Sequence, residues 1–239
     1  MNLSVILPCF NERANIALSV ADVNAWMNAH DIEGEIIVVD DGSLDGSWDV
    51  LQQLRERIPR LMPVRHERNR GYGTAIRTGC DAAKSAIIAF MDSDRQFHAN
   101  DLSRILACLP VVPFVSGIRT RRADPLNRRL NAWLYGRLAR IALGVKARDL
   151  NCGMKAFRAD VWRLVRPQFA TGALFNAEMY CRLRTAGLPL KEVTVHHYPR
   201  PAGKQTGARL SVILKMFREL FALRRAMRKG RYSHSCVHR

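Results

Sequence analysis

The sequence predicts an α/β protein with a mostly parallel central sheet flanked by helices and an amphipathic helix near the C-terminal end. Two observations carry that expectation. Short apolar or β-branched runs alternate with longer helical stretches, the pattern of βαβ units whose strands are covered on both faces. Polar residues also cluster just past the ends of the apolar runs, at Phe10-Asn11-Glu12, Asp40-Asp41 and Asp92-Ser93-Asp94. In an open α/β sheet, that edge is where ligands bind.

Taken in order, Leu3 to Pro8 reads as a buried strand ended by Pro8, and a helix follows from Asn11 to about His30. Glu35 to Val39 is a β-branched strand running into Asp40-Asp41-Gly42-Ser43, with a helix from Asp45 to Arg57. Pro63 to His66 is a short third strand, Gly71 to about Lys84 a helix, and Ile87 to Met91 the next strand. The second half is less regular. Strands are expected at Val111–Gly117, Cys152–Phe157 and Glu192–His196, and helices at Leu126–Leu143, Asp160–Val165, Leu174–Ala186 and Leu210–Arg228. The simplest division is a domain over residues 1–207, a basic amphipathic helix over 208–230 and a disordered tail over 231–239.

Asp92 and Asp94 follow a buried run with one residue between them. In extended chain they share a face, roughly 7 Å apart at their Cα atoms. Two carboxylates that close repel unless a cation lies between them, and Mg²⁺ is commonly held by one or two carboxylates plus substrate phosphates. The plain alternative is a pair of solvated turn aspartates. Three acidic clusters at one sheet edge of a chain whose net charge is +17 argue against it.

The 239-residue chain is long enough to bury a full core, and the excess of positive charge implies an anionic partner. From Arg200 onward there are eleven Lys or Arg against one acid, Glu219. Six scattered cysteines without a CxxC pair read as free thiols. No signal-like segment leads the sequence and no apolar run reaches the ~18 residues of a membrane span, so the expected location is cytoplasmic.

Six segments together resemble the inverting family 2 glycosyltransferases of the GT-A (Rossmann-like) fold, in their polyprenyl-phosphate, dolichol-phosphate mannose synthase-like branch. They are Val5-Ile6-Leu7-Pro8-Cys9-Phe10-Asn11-Glu12, Val38-Val39-Asp40-Asp41-Gly42-Ser43, Asn69-Arg70-Gly71-Tyr72-Gly73-Thr74-Ala75, Met91-Asp92-Ser93-Asp94-Arg95-Gln96, Asp149-Leu150-Asn151-Cys152-Gly153-Met154-Lys155 and Arg200-Pro201-Ala202-Gly203. The resemblance implies that Pro8, Phe10, Glu12, Val39, Asp40 or Asp41, and Ser93 border a nucleotide-sugar. It implies that Asp92, Asp94 and Gln96 hold Mg²⁺ or Mn²⁺, and that Arg200 lies near the donor pyrophosphate, so that Asp92, Asp94 and Arg200 are the catalytic set. Lys204 is displaced by two places from the family's usual lysine.

The resemblance further implies a polyprenyl phosphate acceptor held by Arg119 and Arg128. Such an acceptor is already ionised and needs no general base. Two basic amphipathic helices, 126–143 and 210–228, fit contact with an anionic membrane surface, which makes the expected enzyme peripheral on the inner face of the membrane, with or without an integral-membrane partner. Their other reading is that the apolar stripes cover the protein's own core. A soluble or polysaccharide acceptor is the alternative function. Nucleic-acid binding is the remote one, because it lacks interleaved aromatic platforms and leaves the acidic clusters without a role.

Overall fold

A computed structural model describes residues 1–120, 126–172, 174–203 and 210–228, without the side chains of 126–132, 134, 135, 210–217 and 228. The tail at 231–239 and Lys204 therefore lie outside the described residues, as does the side chain of Arg128.

The elements follow in the order β1 (Asn2–Cys9), α1 (Ile16–Ala29), β2 (Glu33–Asp40), α2 (Ser47–Arg57), β3 (Leu61–Arg65), α3 (Tyr72–Ala82), β4 (Ile87–Met91), α4 (Asn100–Leu106), β5 (Phe114–Thr120), α5 (Leu126–Leu143), β6 (Met154–Arg158), α6 (Ala159–Val165), α7 (Phe175–Thr185), β7 (Lys191–His196) and α8 (Leu210–Arg228). The strands form one seven-stranded sheet in the order β3-β2-β1-β4-β6-β5-β7. All neighbours run parallel except where β6 lies antiparallel between β4 and β5. Connections wind outward from β1 to β2 and β3 on one side and cross to β4 on the other. The crevice between the carboxyl ends of β1 and β4 is thus the topological switch point.

Alternating side chains along the strands feed two cores. Ile6, Ile37, Val39 and Phe90 face α3, α5, α7 and α8, while Val5, Leu7, Val38 and Met91 face α1 and α4. Pro8 does not end β1. The strand continues to Cys9, because β1 pairs with β4 only through Ile6, so the missing Pro8 N–H falls beyond that ladder. β5 begins three residues later than expected, after turn residues and Pro113, and α4 escaped the sequence reading because its seven residues make barely two turns.

The amphipathic helices divide their apolar residues. In α5, Ala139 and Leu143 are buried while Trp133 and Ile141 are 51% and 75% exposed. In α8, Leu220, Leu223 and Ala226 enter the core beneath the sheet, and Phe221 is 70% exposed. Glu219, the one acid of the basic end, does not face solvent. It accepts hydrogen bonds from Thr171 N and Oγ1 at 3.0 and 2.9 Å, which fastens α8 to the loop before α7.

That loop is organised by a second buried acid. Glu178 of α7 is fully buried and accepts hydrogen bonds from the backbone N–H groups of Gln168, Phe169 and Ala170 at 2.7 to 3.0 Å. Truncating it strands three main-chain donors, that of Ala170 fully buried, and an unsatisfied buried donor costs roughly 1–3 kcal/mol. Glu178→Ala is therefore expected to lower unfolding free energy by about 3 kcal/mol or more in urea titrations. A loss under about 1 kcal/mol contradicts the account.

Candidate active site

Three strand ends and one returning loop meet at the switch point. After β1 the chain turns sharply at Asn11, whose φ of 55° is left-handed, and the next turn is held across to the β2–α2 loop. Asn11 N donates to Ser43 Oγ, Glu12 N to Ser47 Oγ and Arg13 N to Asp45 Oδ2, all within 2.8 to 3.0 Å. A second left-handed residue, Arg95 at φ 65°, follows Asp94. Non-glycine residues in this region cost energy, and two of the three described in the chain flank this crevice.

Asp92, Ser93 and Asp94 then project from the end of β4. Ser93 is buried and donates to Pro8 O at 2.6 Å, while its own carbonyl accepts from Ser19 Oγ at 2.8 Å. This stitches the β1 and β4 ends together. Asp92 Oδ1 accepts from the Tyr72 hydroxyl at 2.8 Å, and Asp92 N donates to Gly153 O at 3.1 Å. Burial, and after it the charge of Asp94, pushes the Asp92 carboxyl up to about 7, against the pull of Tyr72, Arg119 and Lys155. Asp94 Oδ1 accepts from Gln96 N at 3.1 Å. Gln96 is itself buried and donates from Nε2 to Tyr198 O at 3.2 Å. Two hard carboxylates on one edge, one of them strained by unneutralised negative charge, suit Mg²⁺ or Mn²⁺ chemically, with the Gln96 amide oxygen as the third expected ligand.

Arg200 returns from the loop after β7 to the same place. Its guanidinium bridges Asp94 Oδ2 at 3.2 Å and Glu12 Oε1 at 2.5 Å, and its Nε donates to Ala202 O at 2.7 Å. The arginine expected near donor phosphates thus stands against two carboxylates of the site. Glu12 also accepts from Asn15 Nδ2 at 2.7 Å; burial raises its carboxyl above the ordinary range despite these donors.

The two β2 aspartates differ. Asp41 is saturated, with Oδ1 accepting from His66 Nδ1 and Arg70 N and Oδ2 from Gly71 N, so it holds the entry to α3. Asp40 is fully buried. Its Oδ1 accepts from Ser43 N, whereas Oδ2 stands 3.3 Å from Arg65 Nε, an ion-pair distance, yet receives no hydrogen bond. Of the pair, Asp40 alone keeps a carboxylate oxygen that receives no hydrogen bond. Val39 packs into the core, Pro8 is buried and Phe10 is half-buried.

Arg119, expected to hold an acceptor phosphate, lies at the end of β5 and makes a two-pronged ion pair with Asp149, Nε to Oδ2 and Nη2 to Oδ1, both 2.7 Å. The structure also adds residues to which the sequence reading gave no role: Tyr72, Asp149, Gly153 and Lys155. Lys155 carried the clearest signal, a charge flanked by apolar residues near the start of a strand. It is fully buried, donates to Cys152 O, lies 5.2 and 5.4 Å from the Phe90 and Tyr180 rings, and is drawn down to about 8 by burial.

Gly153 fits so closely under the site that a Cβ there would fall 1.9 Å from Asp92 Oδ2. Gly153→Ala must displace the Asp92 carboxylate, and shifts of about 1 Å at a reacting centre cost on the order of 100-fold in rate. Mn²⁺ binding measured by calorimetry is expected to weaken by about tenfold or more while the far-ultraviolet spectrum stays unchanged. Unaltered Mn²⁺ affinity counts against the Asp92 assignment.

The family model described as Glycosyl transferase family 2 matches residues 4–165. Dodecaprenyl-phosphate galacturonate synthase of Rhizobium johnstonii is 28% identical over 97% of this chain and 70% of its own length. Undecaprenyl-phosphate 4-deoxy-4-formamido-L-arabinose transferase of Pseudomonas syringae pv. syringae is 26% identical over 90% of this chain, which spans 63% of that relative. Among solved structures, mannosyl-3-phosphoglycerate synthase from Rubrobacter xylanophilus superposes with a TM-score of 0.72 at 17% identity, covering all of this chain and 78% of its own. Glucosyl-3-phosphoglycerate synthase from Mycobacterium tuberculosis, in complex with Mn²⁺, UDP-glucose and phosphoglyceric acid, gives 0.62 at 23% identity over 96% of this chain and 80% of its own. These two share the fold, the GT-A architecture that the six sequence segments imply. With the family model covering more than half its length, the chain belongs to glycosyl transferase family 2.

Proposed function

We propose that this glycosyltransferase moves a sugar from a nucleotide-sugar to a polyprenyl phosphate at a membrane surface. One observation supports the ionised acceptor above all: apart from Asp40, which is fully buried, the acids described at the crevice are already engaged. Glu12 and Asp94 face Arg200, Asp92 faces Tyr72, Asp149 faces Arg119, and Asp41 is bound to main-chain N–H groups. A phosphate oxygen needs no base to become a nucleophile, so an acceptor of that kind suits a site whose carboxylates are otherwise engaged. The names of the two relatives, dodecaprenyl-phosphate and undecaprenyl-phosphate enzymes, point the same way.

In this reading residues 1–207 carry the reaction. Asp40 receives the base N–H, and Phe10 and Glu12 border the nucleoside. Asp92, Asp94 and Gln96 would hold Mg²⁺ or Mn²⁺, which when bound neutralises the donor diphosphate and makes it a better leaving group. Arg200 stands where phosphate oxygens can replace carboxylates as its partners, with geometry that favours two parallel hydrogen bonds. Arg119 and Arg128 hold the acceptor phosphate, and displacement inverts the anomeric centre. Trp133 and Ile141 on α5 and Phe221 on α8 face outward beside the exposed Arg137, Arg140, Arg218 and Arg225, the composition of helices that settle on anionic bilayers.

Incubating the protein with labelled nucleotide-sugars, Mn²⁺ and undecaprenyl phosphate is expected to yield a lipid-extractable product with one donor, abolished by chelation. Asp94→Ala is expected to lower turnover by about 100-fold or more, the scale of several kcal/mol of lost charge stabilisation. Product formation that survives both interventions defeats the metal assignment. In flotation, the protein should rise with anionic vesicles and not with neutral ones, and Phe221→Ser should weaken this. No flotation with anionic vesicles favours a soluble acceptor.

A further inference from the structure

Lys155 is a costly residue for its place. It is the second residue of β6, opposite Phe90 of β4 and Ser116 of β5, and it is completely buried. A charge taken out of water is a liability that an apolar side chain of similar volume avoids. Packing alone therefore gives no reason for a lysine here, and its surroundings supply another.

Strand alternation puts Lys155 and Asp92 on the same sheet face. Phe90 pairs with Lys155, and Asp92 lies two residues beyond Phe90, so the two side chains are diagonal neighbours across the ladder. The ammonium donates not to a carboxylate but to the carbonyl of Cys152, and the rings of Phe90 and Tyr180 flank it. Tyr180 is held in turn by Ser116, with hydroxyl oxygens 2.7 Å apart. Lys155 thus fastens the turn that precedes its own strand.

That turn, residues 149–153, touches both halves of the crevice. At one end Asp149 grips Arg119 through two hydrogen bonds and also accepts from its backbone N–H. At the other end Gly153 O accepts from Asp92 N, and the Gly153 Cα lies against the Asp92 carboxylate. Moving the turn moves both.

We propose that Lys155 is a positioning residue that pins the 149–153 turn, so that one buried cation sets the placement of Asp92 on the donor side and of Arg119 on the acceptor side. It touches neither substrate and acts through the turn. The chemistry it serves is the metal-dependent transfer proposed above, and the inference rests on that reading: its donor half on the metal and nucleotide-sugar assignment, its acceptor half on the polyprenyl phosphate.

The test compares wild type with Lys155→Met, which keeps the volume and removes the charge and the donor. Three quantities are read: thermal unfolding, binding of UDP and of GDP in the presence of Mn²⁺ by calorimetry, and kcat and KM for undecaprenyl phosphate. The expected result is a cooperative unfolding transition, Mn²⁺-dependent nucleotide binding weakened about tenfold or more, and a raised acceptor KM together with a lowered kcat. Lys155→Gln, which can still donate to the Cys152 carbonyl, is expected to recover part of both. A folded Lys155→Met with nucleotide binding and turnover within about twofold of wild type overturns the proposal. So does a failure of both variants to fold, which assigns Lys155 to the fold alone. If wild type binds nucleotide with Mn²⁺ but transfers nothing to undecaprenyl phosphate, the acceptor reading falls, while the nucleotide-binding comparison still decides the role of Lys155 toward Asp92.

Discussion

Negative charge packed into a half-dry crevice is the constraint on which the rest of this architecture depends. Glu12, Asp40, Asp92 and Asp94 all leave strands at one edge of the sheet, and buried carboxylates are unfavourable unless donors or cations compensate them. The fold supplies those compensations from distant parts of the chain. Arg200 arrives from beyond β7, Tyr72 from the first turn of α3, and the Ser43 N–H from the β2–α2 loop onto Asp40. The residual imbalance falls on Asp92, through its burial and the charge of Asp94, and it is the kind of imbalance that a divalent cation relieves.

Strand order explains why these groups meet. Because β1 lies between β2 and β4, the β1–β4 boundary leaves a crevice at the carboxyl ends with no connection crossing it. The antiparallel β6 then brings a second turn, 149–153, under the same edge from the opposite direction. A Cβ at 153 would collide with the Asp92 carboxylate, so glycine there leaves that side chain in place. Arg119 is tied to that turn through its pairing with Asp149, and Asp92 through its hydrogen bond to Gly153. Five residues of backbone therefore join the two side chains.

Much of this was legible in the sequence for identifiable reasons. The parallel strands are continuous apolar runs followed by acids, so β1, β2 and β4 and the acidic clusters at their ends could be read directly. Two things were not legible. The direction of β6 is set by pairing partners that no local pattern encodes, and α4 is too short for its apolar spacing to stand out. The division of labour between Asp40 and Asp41 was equally hidden, since adjacent aspartates look alike until His66, Arg70 and Gly71 are seen to saturate one of them. The apolar stripe of α8 read as uniform, whereas Leu220 and Leu223 are core and Phe221 faces out. Lys155 was visible as a charge inside an apolar run, but its target carbonyl lies in a turn whose course only the fold reveals.

The central claim is that the acceptor enters as a phosphate anion and that no side chain serves as its base. It is tested most directly by offering the enzyme undecaprenyl phosphate and the matching undecaprenol, with the same donor and Mn²⁺. The account predicts transfer to the phosphate and none to the alcohol, with a rate that stays flat above the second ionisation of the phosphate, about pH 6. Equal transfer to the alcohol, rising with pH as a side-chain base loses its proton, would contradict it.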